Sequence, residues 1–209
     1  MQLRFRTRAK YFKKKISSLL SQRRRLWLPI GTRFCCHWSS VFRLPGSFFF
    51  GMKFLQGGEL HEHIKKKGRF PEEVAKFYAA QILLGVEEMH SHNILWRDLK
   101  PENILLDNDG YVKLVDFGVS KRLKDSGEFT STYCGTTEYV SPEIVMGKPY
   151  DRRVDWWSFG VVLYEMVVGE SPFGGVHPNL VFRRIIEDEP KWPEDVTVSQ
   201  ELKDLVAKL

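Results

Sequence analysis

A short stretch of the chain carries most of the side chains that could do chemistry. Residues 96–103 read Trp-Arg-Asp-Leu-Lys-Pro-Glu-Asn, which places the carboxylate of Asp98, the ammonium of Lys100 and the amide of Asn103 on one loop. A second carboxylate, Asp116, opens the tripeptide Asp-Phe-Gly after a turn and a short strand. Asp-Phe-Gly alone is a common tripeptide and weak evidence. The combination of three polar residues on one loop, a predicted hairpin and then Asp116 is strong evidence for a functional site.

Turn residues and periodicity predict the elements that position this loop. Strands are expected at 104–106 and 111–115, on either side of a turn at 107–110. Upstream, an apolar run at 48–55 leads through two glycines into a short helix, and Pro71 opens a longer helix that ends near His90. The long helix is expected to be amphipathic, with these apolar residues at three-to-four spacing: Val74, Phe77, Tyr78, Ile82, Val86 and Met89.

Three further helices are predicted downstream of the loop. The apolar run at 154–168 contains Asp155 and Glu165 and is shorter than the roughly 20 residues of a spanning helix, so it is interpreted as a buried helix. The other two are expected at 180–186 and 201–209. The triplet at 61–63, His-Glu-His, does not have the spacing of the HExxH zinc motif and is interpreted as solvated polar residues.

From about residue 51 to its last residue, the sequence resembles the eukaryotic protein kinases. Asp98-Leu99-Lys100 is typical of Ser/Thr kinases, and residues 132–143 (Thr-Tyr-Cys-Gly-Thr-Thr-Glu-Tyr-Val-Ser-Pro-Glu) are similar to the activation segment of the AGC group. That group includes cAMP-dependent kinase, protein kinase C and ribosomal S6 kinase. An aromatic residue before Arg-Asp, here Trp96, is also typical of it. The resemblance implies an α+β, protein-kinase-like fold, mainly the α-rich large lobe with a short β-hairpin.

The same resemblance implies transfer of the γ-phosphate of ATP to Ser or Thr. Phosphoryl transfer depends on positioning and on charge neutralisation. Asp98 would accept or orient the proton of the substrate hydroxyl, Lys100 would neutralise the γ-phosphate, and Thr136 would hydrogen-bond both. Asp155 would bond the backbone near this loop.

The implied ATP site combines the loop with residues around it. Asn103 and Asp116 would hold Mg²⁺, which bridges the phosphates. Leu105 would lie beneath the adenine, Glu59 near the ribose, and Lys100 at the phosphates.

Regulation and substrate choice are also implied by the family. Thr132 matches the activating phosphosite, and a phosphate added there by an upstream kinase would be bound by Arg97 and Lys121. The alternative is a loop threonine that is never modified. Three acids match positions that receive basic side chains of the substrate: Glu59, Glu102 and Glu165. Proteins with Arg or Lys near the phosphorylated residue are therefore the expected partners. Each could instead be an ordinary surface carboxylate.

Other parts of the family pattern are not found. No GxGxxG motif and no Val-Ala-Ile-Lys-like strand occur, and no acid precedes Glu59 to pair with a phosphate-orienting lysine. The small β-rich lobe is therefore expected to be largely absent. Glu143 matches a glutamate whose arginine partner would lie beyond residue 209, so the C-terminal end is expected to be truncated. The alternative to an active kinase is a catalytically impaired, pseudokinase-like binding module without the nucleotide clamp.

The charges divide the chain into two parts. Lys and Arg number 32 and Asp and Glu 26, but 13 of the basic residues and none of the acidic ones precede Glu59. We predict a basic leader of unassigned structure at 1–50 and a partial kinase domain, hinge and large lobe, at 51–209. The leader is similar to a mitochondrial transit peptide and also to a nuclear localisation or nucleic-acid-binding patch, but neither match is specific. It therefore gives no firm evidence for nucleic acid or membrane as a partner. Three cysteines fit a reducing compartment, the cytoplasm or else the nucleus.

Overall fold

Two paired strands open the described part of the chain. The structure, a computed structural model, describes residues 38–44, 47–52 and 54–209, the first two ranges as backbone. β1 (Trp38–Leu44) and β2 (Ser47–Met52) form an antiparallel hairpin. Most of the predicted leader at 1–50 lies outside the described residues, and β2 contains the first part of the apolar run at 48–55.

Two small antiparallel sheets flank the loop at 96–103. The strands are β3 (Gly58–Glu59), β4 (Ile94–Leu95), β5 (Ile104–Leu106), β6 (Val112–Leu114) and β7 (Lys121–Arg122). One sheet has the order β3-β5-β6, and the other pairs β4 with β7. The strand predicted at 111–115 is shorter than expected, because the N–H of Tyr111 bonds the side chain of Asp107 and its carbonyl accepts from the N–H of Asp107, which keeps Tyr111 in the turn.

Helices account for more of the described residues than strands do. They are α1 (Leu60–Lys67), α2 (Glu72–Ser91), α3 (Pro142–Val145), α4 (Arg153–Val168), α5 (Pro178–Glu187) and α6 (Gln200–Lys208), and a 3-10 turn spans Pro101–Asn103. Gly169 ends α4 with φ +98°, and a Cβ there would lie 2.0 Å from the carbonyl oxygen of Gly68. Glycine is required at this position by both the left-handed backbone and the close approach.

The helix α4 forms the centre of the core, as the apolar run predicted. Twelve of its sixteen residues are buried, and it packs against α2 and α6. The N-cap Ser199 ties α6 to α2, because its hydroxyl and its N–H both donate to the carboxylate of Glu72. Both bonds lower the pKa of Glu72.

The prediction for the buried face of α2 was wrong at two positions. Val74 and Phe77 are 38% and 48% exposed, whereas Ala75 and Ala79 are buried with the three C-terminal members of the predicted set. Small residues allow α2 to lie close to α4, so the buried stripe runs through the alanines and leaves the larger side chains on its flank. Phe77 packs instead against the ring of Tyr111, with centroids 6.1 Å apart.

No helix in the described ranges is long and apolar enough to cross a membrane.

Candidate active site

A buried carboxylate holds the loop at 96–103 in place. Asp155, near the start of α4, has no exposed surface. Its Oδ1 accepts from the N–H of Arg97 at 2.7 Å, and its Oδ2 accepts from the N–H of Trp96 at 2.9 Å and from Nε2 of His90 at 2.8 Å. A buried carboxylate must have such partners. The bond to the loop backbone that the resemblance implied is therefore present.

Four side chains of the predicted site form one hydrogen-bonded network. The hydroxyl of Thr136 donates to Oδ1 of Asp98 at 2.7 Å and accepts from Nζ of Lys100 at 2.8 Å. The amide nitrogen of Asn103 donates to Oδ2 of Asp98 at 2.9 Å and to its carbonyl oxygen at 2.8 Å. Nζ of Lys100 lies 3.7 Å from Oδ2 of Asp98. The network fixes the Asp98 carboxylate through both oxygens, while 15% of the side chain stays exposed to solvent.

The second carboxylate is brought to this network by the backbone. The carbonyl of Asn103 accepts from the N–H of Val115 at 3.0 Å, which places Asp116 next to the end of the loop. The indole N–H of Trp96 donates to the carbonyl of Asp116 at 3.2 Å, and the ring of Trp96 stacks on Phe117 with centroids 5.7 Å apart. Trp96, noted in the sequence only as typical of a group, thus positions Asp116.

Two residues of the site adopt a left-handed backbone conformation. The φ angles of Arg97 and Asp116 are +70° and +53°, which is unfavourable for residues with side chains and persists only where surrounding contacts impose it. At Arg97 one such contact is the backbone of Gly135. A Cβ at Gly135 would lie 2.8 Å from the carbonyl oxygen of Arg97, and the φ of Gly135 is +105°.

The oxygen atoms left by these contacts fit a magnesium ion. The amide nitrogen of Asn103 donates to Asp98, so the amide oxygen is the atom that would bind a metal ion. The carboxylate of Asp116 is exposed, and the N–H of Gly118 holds it through Oδ1. Within the described ranges no three His, Cys, Asp or Glu side chains are grouped to hold a metal. A donor set of one carboxylate and one amide suits Mg²⁺, which commonly takes its other ligands from phosphates and water.

An apolar surface lies beside this oxygen-rich region. Leu55 and Val115 are buried together, and the partly buried Leu105 packs against them. The strand pairing puts Glu59 opposite Leu105, and Glu59 is exposed. The residues that the resemblance assigned to adenine and ribose are therefore neighbours on the adjacent strands β3 and β5.

The predicted phosphosite lies on an exposed segment whose contacts include a tyrosine that the sequence analysis missed. The hydroxyl of Tyr150 donates to the carbonyl of Thr132 at 2.6 Å and accepts from Nη1 of Arg97 at 3.2 Å. Burial raises the pKa of Tyr150 to about 12, so the hydroxyl keeps its proton. Lys121 pairs with Glu128 at 3.7 Å. The structure thus links Thr132 to Arg97 through Tyr150, and places Lys121 in a separate ion pair.

The three predicted substrate acids differ in burial. Glu59 is exposed and Glu102 is half-buried, but Glu165 on α4 is only 5% exposed. The hydroxyl of Tyr139 donates to Glu165 at 2.7 Å. Burial raises the pKa of Glu165 to about 7, and the nearby negative charges of Glu102 and Glu138 also raise it. Glu165 is therefore no ordinary surface carboxylate.

The interpretation of residues 61–63 as solvated was wrong for both histidines. Both are half-buried, because α1 packs against the 3-10 turn at Pro101–Asn103. Nε2 of His63 donates to the carbonyl of Gly57 at 2.6 Å. His61 lies near enough to Glu165 for a positive charge on it to lower the pKa of that carboxyl. The spacing of the two histidines does not indicate this burial, because it depends on how α1 packs against the 3-10 turn.

Comparison with known proteins gives consistent matches. A family model described as protein kinase domain matches residues 25–209. Human protein kinase C delta type is 43% identical over 194 residues, which are 93% of this chain and 28% of that protein. The cAMP-dependent protein kinase type 3 of Saccharomyces cerevisiae is 44% identical over 175 residues, covering 81% and 43%. Serine/threonine-protein kinase gad8 of Schizosaccharomyces pombe is 42% identical over 168 residues, covering 80% and 29%. The chain spans less than half the length of each of these relatives.

Proposed function

Because the chain belongs to the protein kinase family, and within it to the AGC group of Ser/Thr kinases, we propose that it transfers the γ-phosphate of ATP to Ser or Thr residues of basic proteins. The α-rich body with its reduced sheets confirms the predicted α+β fold class. One observation carries the proposal, the network in which Thr136 and Asn103 hold Asp98 beside Lys100. This geometry fits a loop that must orient a hydroxyl and neutralise a phosphate.

The chain's own groups suffice to orient the attacking hydroxyl. Asp98 keeps a fixed orientation because Thr136 and Asn103 donate to its two oxygens, so the substrate Ser or Thr hydroxyl can give its proton to this carboxylate. The ammonium of Lys100, held by Thr136, neutralises negative charge on the transferred group. When Mg²⁺ is bound by Asn103 and Asp116, it supplies further neutralisation between the phosphates.

Basic substrates fit the acids beside the loop. Burial raises the pKa of Glu165 to about 7, and repulsion by the nearby charges of Glu102 and Glu138 also raises it. A cationic side chain of the substrate would relieve that repulsion and favour the ionised carboxylates. Glu59 lies on the β3 strand, which contacts the same 3-10 turn that carries Glu102.

Control by phosphorylation is part of the same proposal. Thr132 is exposed, so an upstream kinase can reach it. A phosphate there would carry close to two negative charges and could draw Arg97 from Tyr150 and Lys121 from Glu128. We place the reaction in the cytoplasm or the nucleus, since the three cysteines fit a reducing compartment.

The test is phosphorylation of an Arg-rich Ser/Thr peptide by the purified chain with Mg-ATP. Asp98→Asn keeps the shape of the side chain and removes the charge that accepts the proton. Asp109→Asn is the matched control, because Asp109 is exposed in the β5-β6 turn. We expect transfer by the wild type and by Asp109→Asn, and a loss of about 10²-fold or more in Asp98→Asn.

Equal transfer by the wild type and by Asp98→Asn would refute the proposed role of the loop. No transfer by any of the three proteins would refute catalysis by this chain. In that case, retained binding of the basic peptide would support the alternative, a binding module with the kinase fold.

A further inference from the structure

One serine within residues 54–209 has the sequence context that the proposed function requires of a substrate. Ser126 is preceded within five residues by Lys121, Arg122 and Lys124. No other Ser or Thr of this range has more than one Lys or Arg in the five positions before it. A kinase that acts on basic proteins would therefore find a target sequence within this chain.

Ser126 lies at the surface, in the turn that follows β7. Residues 124–127 are all exposed. The N–H of Gly127 donates to Oδ1 of Asp125 at 2.9 Å, and the N–H of Glu128 donates to the carbonyl of Asp125 at 3.5 Å. Exposed hydrogen bonds of this kind open at low cost, because water replaces the lost partner. The segment can therefore extend along an active site without disturbing the core.

Two of the three basic side chains are accessible together with the serine. Arg122 and Lys124 are exposed, and the ammonium of Lys124 forms no ion pair with a residue that the structure describes. Lys121 is half-buried and pairs with Glu128 at 3.7 Å. The turn thus presents a hydroxyl and two cationic groups on one short exposed segment, which suits the acids beside a catalytic loop.

The strand pairing directs Ser126 away from the catalytic loop of its own copy. β7 pairs antiparallel with β4, and the N–H of Leu123, just after β7, donates to the carbonyl of Asn93, just before β4, at 2.8 Å. The chain therefore leaves β7 in the direction opposite to Asp98, which follows β4. The hydroxyl of Ser126 consequently meets the Asp98 of another copy and not its own.

We propose that Ser126 is a modification site that this chain phosphorylates in a second copy of itself. The inference rests on the proposed function and names a substrate for it. Oγ of Ser126 bonds to the γ-phosphorus of ATP, the bond from that phosphorus to the oxygen shared with the β-phosphate breaks, and ADP leaves with this oxygen. The hydroxyl proton passes to Asp98 of the catalysing copy.

The neighbouring phosphosite differs in its sequence context. Residues 127–131, which precede Thr132, contain no Lys or Arg. A kinase that requires basic residues before its target would therefore modify Ser126 and leave Thr132 to an upstream kinase of another specificity. The two hydroxyls of this segment thus respond to different enzymes.

A mixture of two distinguishable copies tests the proposal. The substrate copy is the Asp98→Asn chain labelled with heavy nitrogen, and the unlabelled wild type is the enzyme. After incubation with Mg-ATP, tandem mass spectrometry locates the phosphate and shows by mass which copy carries it. A parallel reaction contains the wild type and the Arg-rich peptide, so that transfer as such is measured separately.

Two further substrate copies test the role of the basic residues. Both carry Asp98→Asn, and one also carries Lys124→Gln, which keeps the length of the side chain and removes its charge. The other carries Lys148→Gln as the matched control, because Lys148 is exposed in the turn after α3. These surface changes leave the core of the substrate copy intact.

We expect phosphate on Ser126 of the labelled copy and none on Ser131 or Thr132. The labelled copy incubated alone should stay unmodified. Lys124→Gln should slow the modification of Ser126 about tenfold, the effect of one lost contact to a charged group, whereas Lys148→Gln should leave the rate unchanged.

Phosphorylation of the peptide with an unmodified Ser126 would overturn the inference and leave the proposed function intact. Phosphate on Ser126 of the wild-type copy alone would also overturn it, since transfer would then be intramolecular. An equal rate for Lys124→Gln and Lys148→Gln would contradict the role of the basic residues. No transfer to the peptide or to Ser126 would refute the proposed function, and the inference with it.

Discussion

Replacing Glu165 with glutamine should remove a pH-dependent loss of stability. Glu165 is almost completely buried in α4, and one of its oxygens accepts from the hydroxyl of Tyr139 at 2.7 Å. Burial, more than any other cause, raises the pKa of Glu165 from 4.5 to about 7. Glutamine has the same shape and can accept from Tyr139 through its amide oxygen, but it does not ionise.

The sign and size of the effect follow from this pKa. Below pH 4.5 the carboxyl of Glu165 is protonated in both the folded and the unfolded chain. Between pH 4.5 and about 7 the unfolded chain ionises while the folded chain keeps its proton, so the free energy of unfolding falls as the pH rises. The full difference is about 3 kcal/mol, as one pKa unit corresponds to about 1.4 kcal/mol. The loss is complete once the pH exceeds about 7.

Urea unfolding of the wild type and of Glu165→Gln from pH 5 to 8 measures this difference. We expect the free energy of unfolding of the variant to increase relative to that of the wild type as the pH rises. Above pH 7 the difference between the two proteins should stay constant. Glu189→Gln is the control, because Glu189 is exposed, and it should follow the wild type at every pH. The reasoning would be refuted if the free energy of unfolding of Glu165→Gln, relative to that of the wild type, stayed constant or decreased from pH 5 to pH 7.

Two further predictions concern packing near the loop. Gly135→Ala should lower the free energy of unfolding by about 2 kcal/mol or more, because its Cβ would lie 2.8 Å from the carbonyl of Arg97 at a left-handed φ. Thermal unfolding would show the loss, and an unchanged melting temperature would contradict the geometry. Ser141→Ala should be neutral or stabilising by up to about 1 kcal/mol, since its buried hydroxyl has no partner among the described residues. Ser158→Ala should lower the free energy of unfolding by about 1 kcal/mol, since the hydroxyl of Ser158 donates to the carbonyl of Tyr139. Urea unfolding that found Ser141→Ala less stable than Ser158→Ala would contradict both predictions.

Local sequence was enough to predict the loop and its hairpin. The order of Asp98, Lys100, Asn103 and Asp116 fixes which side chains meet, because a tight turn returns the chain to the same place. The contact of Thr136 with Asp98 joins residues 38 positions apart, and only the family resemblance indicated it. The catalytic and binding roles of these residues stay predictions until transfer is measured.

Features that depend on tertiary packing could not be predicted from spacing. Val74 and Phe77 fall on a helical repeat, but the core selects the smaller alanines of α2. The burial of Glu165 and the buried nitrogen of His61 depend on how α4, α1 and the 3-10 turn meet. No pattern within a single helix contains that information.

The bonds of Asp155 make the order of the loop a property of the domain core. If the N–H groups of Trp96 and Arg97 moved away, the carboxylate would lose two of its three donors in an environment without solvent. Local unfolding of this loop would therefore break the same hydrogen bonds as separating the first turn of α4 from the loop. The loop belongs to the same cooperative folding unit as the central helix, so its geometry is retained for as long as the core remains folded.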